Sequence, residues 1–66
     1  MAETRYTVTG MSCDHCVRAV RDEVAAIAGV TGVEVELDGG RLTVSGDGFT
    51  DEQVRAAVGD AGYALA

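Results

Sequence analysis

Apolar residues fall at every second position near the start of the chain. Tyr6 and Val8 alternate with Arg5, Thr7 and Thr9, the period of a strand with one buried face, and Gly10 ends the run. From about Asp14 to Ala28 the period lengthens. Val17, Val20, Val24 and Ile27 recur at steps of three and four and make one face of a helix that Gly29 stops. Arg18 and Asp22 lie four apart on the remaining surface, the spacing of a helical ion pair.

Alternation then returns. Val33, Val35 and Leu37 alternate with Glu34, Glu36 and Asp38; Leu42 and Val44 alternate with Arg41, Thr43 and Ser45. Between these runs stands Asp38-Gly39-Gly40, whose residues tolerate positive φ, so the pair predicts a hairpin. Phe49-Thr50-Asp51-Glu52-Gln53-Val54 reads as a helix start. Thr50 caps, Gln53 reaches back, and Phe49 packs on Val54. Val54, Ala57, Val58 and Ala61 form the buried face, Gly62 ends the helix, and Tyr63-Ala64-Leu65 is a short last strand.

The order β-α-β-β-α-β predicts a ferredoxin-like α/β (α+β) sandwich, one domain over residues 1–66. It has one four-stranded sheet, antiparallel or mixed, with both helices on one face. The two β-α-β crossovers predict parallel pairings and the hairpin an antiparallel one.

Length and charge narrow the function classes. Sixty-six residues bury only about 60% of the surface the unfolded chain exposes, so the core is thin and a cleft for a large substrate is not expected. The net charge is −6, with five arginines and no lysine. Nucleic-acid phosphates repel such a chain, whereas solubility and a basic protein partner are both compatible with it. No apolar run approaches the ~20 residues of a membrane span, so membrane insertion is not expected, and the first residues lack a secretory signal. The expectation is a cytoplasmic protein, in which two close cysteines serve metal or redox chemistry rather than a structural bridge.

Those cysteines lie in Gly10-Met11-Ser12-Cys13-Asp14-His15-Cys16, which also holds the chain's one histidine. Cys13 falls in the loop and Cys16 in the first helical turn, so the two sulfurs converge. The helix N-terminus favours thiolate over thiol, and thiolates bind soft metals. Structural zinc takes four protein ligands, more than this chain gathers. Cu(I) accepts two or three thiolates and stays open to attack by another, which suits transfer. The spacing C-x-x-C before a helix also fits a thiol-disulfide redox pair. The chain has no proline or tryptophan and is short for a thioredoxin-like fold; the β-α-β-β-α-β context favours metal.

The segment resembles the G-M-x-C-x-x-C motif of the heavy-metal-associated domain. The resemblance extends over the whole chain, through the Asp38-Gly39-Gly40 hairpin and Gly62-Tyr63. A free-standing domain of this length is similar to bacterial copper chaperones of the CopZ type, which are carriers and not enzymes. The resemblance implies Cu(I) held by Cys13 and Cys16. It implies delivery by thiolate exchange to the N-terminal metal-binding domain of a copper-transporting P-type ATPase. A metal-binding domain excised from a heavy-metal ATPase and a small redox protein are the other readings. Zinc and cadmium relatives often carry an acidic residue where this chain has Ser12, which favours copper.

The neighbouring residues each have a plain reading as well. Met11 anchors the loop from the core side, the alternative being a thioether ligand. Asp14 complements the helix dipole. His15 is directed away from the chelate on a starting helix; it tunes Cys16, is solvated, or ligates a metal shared by two chains in a copper-dependent homodimer. Tyr63 either packs only or, as the resemblance implies, shields or hydrogen-bonds a thiolate. Arg18 and Arg21 form a small basic patch or an ordinary solvated helix face.

Overall fold

The computed structural model describes residues 2–66. Strand β1 (Ala2–Thr9) leads to helix α1 (Asp14–Ala25), strand β2 (Val30–Glu36), strand β3 (Arg41–Gly46), helix α2 (Asp51–Asp60) and strand β4 (Ala64–Leu65). The sheet order is β2-β3-β1-β4, and all three pairings are antiparallel. The ferredoxin-like sandwich is therefore present, but the parallel pairings expected from the crossovers are not. Strands joined through a helix do run the same way. A third strand is inserted between them, β3 between β2 and β1, and β1 between β3 and β4.

Register explains the alternation. Val35 faces Leu42, which faces Tyr6; Val33 faces Val44. These side chains point toward the helices. Val8, Leu42 and Val44 from the sheet meet Val20 and Val24 from α1 and Val54, Ala57 and Val58 from α2, and all eight are buried. Glu34, Thr43 and Arg5 form the matching row on the opposite, solvated face. Among the described residues no polar or charged side chain is buried.

Several local expectations shift. Helix α1 stops at Ala25, not Ala28: the N–H groups of Ala26 and Ile27 bond back to Glu23 and Val24, tightening the last turn before Gly29. Val17 is only half-buried and stays outside the core cluster. Leu37 is not a strand residue. It adopts helical backbone angles ahead of a single 3₁₀ turn over Asp38–Gly40 and is 39% exposed. Arg18 and Asp22 form no ion pair; among the described residues the pair within 4 Å is Arg5 with Glu3.

The hairpin tip docks on β1 through Gly40, where a Cβ would run into the Val8 carbonyl. Helix α2 opens on a complete capping box. The Gln53 N–H donates to Thr50 Oγ1 at 3.2 Å, and the Thr50 N–H donates to Gln53 Oε1 at 2.8 Å.

Candidate metal centre

The end of β1 and the end of α2 build the site together. Gly10 follows β1 at φ +92°, a left-handed conformation that turns the chain out of the sheet. Met11 comes next, half-buried against the core cluster, and fixes the root of the loop. Ser12 and Cys13 are exposed, and Cys13 is the N-cap residue of α1 in extended conformation. Its carbonyl accepts from the N–H groups of Cys16, at 3.0 Å, and Val17. Its side chain takes no part in capping, so the sulfur stays available.

The Sγ atoms of Cys13 and Cys16 stand 3.3 Å apart. That is well beyond the ~2.05 Å of a disulfide, and both cysteines are free. The two thiols are close enough to share a hydrogen bond, with either sulfur as donor.

Tyr63 arrives from the far end of the chain, and a helix stop puts it there. Past Asp60 the Gly62 N–H bonds to the Gly59 carbonyl, and the Tyr63 N–H bonds to the Val58 carbonyl at 3.0 Å. With Gly62 at φ +95° this is a Schellman motif, which satisfies the last carbonyls of α2. β4 then pairs antiparallel with β1, Thr9 facing Ala64, so Gly10 comes opposite Tyr63. A Cβ on Gly10 would touch the tyrosine ring at 3.5 Å. That is an ordinary contact, so the left-handed backbone rather than space is what calls for glycine here.

The electrostatic result falls on Cys16. Its thiol is lowered to about 6, first by the Ser12 main-chain N–H, then by the Tyr63 hydroxyl and the Cys13 thiol, against an opposing cost of burial. At neutral pH this cysteine is mostly thiolate, the metal-binding species. The Tyr63 hydroxyl is raised in turn, chiefly because it donates to that sulfur.

His15 is exposed in the first turn, as is Asp14. Among the described residues no group of three or more His, Cys, Asp or Glu side chains assembles around an ion. The centre as it stands is a pair of sulfurs with main-chain and tyrosine donors behind one of them. Ser12 is among the residues expected from the sequence to support the loop; that it acts through its main-chain amide was not legible, because main-chain groups leave no mark in residue type. The Gly62-Tyr63 step after a helix was the available signal for the tyrosine.

A surface cavity of about 390 Å³ lies elsewhere, on the solvated sheet face among Glu3, Arg5, Glu34, Glu36, Arg41 and Thr43. Neither cysteine lines it.

Comparison with known proteins gives a concordant picture. The family model described as heavy-metal-associated domain matches residues 5–64. The copper chaperone CopZ of Bacillus subtilis (strain 168) is 38% identical over 68 residues, covering 100% of this chain and 99% of that protein. A zinc/cadmium/lead-transporting P-type ATPase of Shigella sonnei (strain Ss046) is 42% identical over 64 residues, 94% of this chain and 9% of the ATPase. A solved structure of a CopZ metallochaperone superposes with TM-score 0.94 at 34% identity, covering 98% of this chain and 100% of that one.

Proposed function

The chain belongs to the heavy-metal-associated domain family, whose copper chaperones are metal carriers rather than enzymes, and from that premise we propose that it is a cytoplasmic Cu(I) chaperone. Cys13 and Cys16 bind one Cu(I) as thiolates. Met11 supports the loop, and Ser12, through its main chain, and Tyr63 stabilise the negative sulfur. His15, exposed in the first turn of α1, stands outside the chelate.

The observation that carries this reading is the sulfur pair, Cys13 exposed and Cys16 half-buried, 3.3 Å apart and, among the described residues, joined by no group of further His, Asp or Glu ligands. Zinc held structurally asks for four protein ligands, whereas a soft monovalent ion is satisfied by two thiolates. An ion with so few ligands gains one from a partner before it loses one of its own. Delivery follows: a thiolate of the partner joins the ion, the chain's two sulfurs leave in turn, and no electron changes hands. The recipient is the N-terminal metal-binding domain of a copper-transporting P-type ATPase, whose own C-x-x-C supplies the incoming thiolates. The same openness allows one ion to bridge two copies of the chain. Among the described residues no helix is long and apolar enough to cross a membrane.

The likeness to a segment of a zinc/cadmium/lead transporter supports a second reading, a metal-binding domain of an ATPase that handles a divalent ion. One titration separates the two. The reduced protein, kept anaerobic, competes with a Cu(I) chelator while Zn(II) is titrated in parallel. A chaperone withdraws about one Cu(I) per chain and binds Zn(II) far more weakly. Replacing both Cys13 and Cys16 by serine is expected to abolish tight Cu(I) binding and leave the circular dichroism unchanged. Retained tight binding in that variant would remove the cysteines from the site.

A further inference from the structure

The sheet has two open edges, and they differ in charge pattern. Along β1, strand β4 covers only the end near the loop: it faces Val8 and Thr9, and the Ala66 N–H donates to the Thr7 carbonyl at 2.8 Å. Main-chain groups alternate sides along a strand. Those of Glu3 and Arg5 therefore point the same way as those of Thr7, and among the described residues nothing pairs with them on that side.

Two copies meeting at this edge pair antiparallel about a two-fold axis. The free groups belong to Glu3 and Arg5, so three registers bring them into contact. Centring on Glu3 sets two glutamates face to face. Centring on Arg5 sets two arginines face to face and asks for Thr7, already taken by Ala66. Centring on Thr4 sets Glu3 opposite the partner's Arg5 and Arg5 opposite the partner's Glu3. Both are hydrogen-bonded pairs of opposite charge, with the two Thr4 residues facing each other between them. Such cross-strand pairs stabilise a sheet, and like charges at the same positions oppose it.

Within one chain Arg5 Nη2 and Glu3 Oε1 are 3.7 Å apart, with side chains 82% and 54% exposed. A pair that exposed contributes little, so both side chains are free to re-pair. The β2 edge is the contrast. By the same alternation Val33 and Val35 carry its free groups. Registers centred on Glu34 or Val35 set glutamates against glutamates, and the register centred on Val33 runs into the irregularity between Val30 and Gly32. That edge is guarded by charge, while the β1 edge is self-complementary.

We propose that this chain self-associates through the open edge of β1, antiparallel and centred on Thr4, joining two four-stranded sheets into one. The cysteine loops then lie at opposite ends, roughly 40 Å apart at ~3.4 Å per strand residue, so neither sulfur takes part. This association is independent of metal and distinct from two chains sharing one ion.

Sedimentation equilibrium of the metal-free, reduced protein tests it. The wild type is expected to show a concentration-dependent dimer. Glu3→Arg alone, or Arg5→Glu alone, turns both pairs into like charges and weakens the dimer about tenfold or more. The double variant Glu3→Arg/Arg5→Glu restores opposite charges and with them the dimer, and Cys13→Ser/Cys16→Ser dimerises like the wild type. Circular dichroism on each variant shows that the fold is intact. A wild type that stays monomeric to about 1 mM, single reversals that dimerise undiminished, or a folded double reversal that fails to recover would each overturn the proposal.

Discussion

At Cys16 four donors from three residues lower the thiol: the Ser12 main-chain N–H, the Tyr63 hydroxyl, and the thiol and main-chain N–H of Cys13. Removing one of them should be visible without any metal. In Tyr63→Phe the Cys16 thiol is expected to rise above about 6 while staying below its ordinary value near 9, because the Ser12 amide remains. The rate of alkylation against pH, in metal-free protein, reads this directly. The same depression links to stability. The folded thiol ionises near pH 6 and the unfolded one near 9. The contribution is complete above 9 and is lost as pH falls through 6. The denaturation midpoint of the reduced, metal-free protein should therefore climb between pH 6 and 9, and Cys16→Ser should flatten that climb. At this scale the cysteines were legible because no others compete with them in the sequence. The donors behind Cys16 were legible only in part. Tyr63 is a distinctive residue after a helix-ending glycine, whereas an amide looks the same at every position.

At the scale of elements, the ends of α2 do different work. Its start is fixed by the Thr50–Gln53 box, readable from four residues in a row. Its finish, the turn through Gly62, aims Tyr63 at the cysteine loop. Gly62→Ala is expected to cost about 1 kcal/mol, since a Cβ there meets nothing within 4 Å and only the left-handed backbone is strained. Denaturant titration measures the loss. A rise in the Cys16 pKa of the same variant would show that the turn and the sulfur are coupled. Element identity was legible throughout, because periods of two and 3.6 report which face of a segment is buried. Neighbour identity was not. Periodicity says that Val8 and Leu42 face inward and is silent on which strand lies beside which, so the inserted strands went unforeseen. The end of α1 was misplaced for a related reason. Ile27 and Ala28 suit a helix, and Ile27 does pack on the core, but from a tightened turn rather than a helical one.

At the scale of the whole molecule, the eight buried apolar side chains among the described residues hold two helices to one sheet. A chain of 66 residues has roughly 3–10 kcal/mol of stability in all. Leu42→Ala, at a position with no exposure, is expected to remove about 3 kcal/mol and with it much of that total. Arg55→Gln, on the exposed side of α2, should move the denaturation midpoint by no more than about 0.5 kcal/mol equivalent. The contrast follows from a core that is apolar throughout, with the charges left outside it. Its consequence reaches past stability. Because no ionic group is enclosed among the described residues, the surface works as a rewritable label on an unchanging container. One surface arginine or aspartate can be exchanged for another while the cysteine loop and the interior stay untouched.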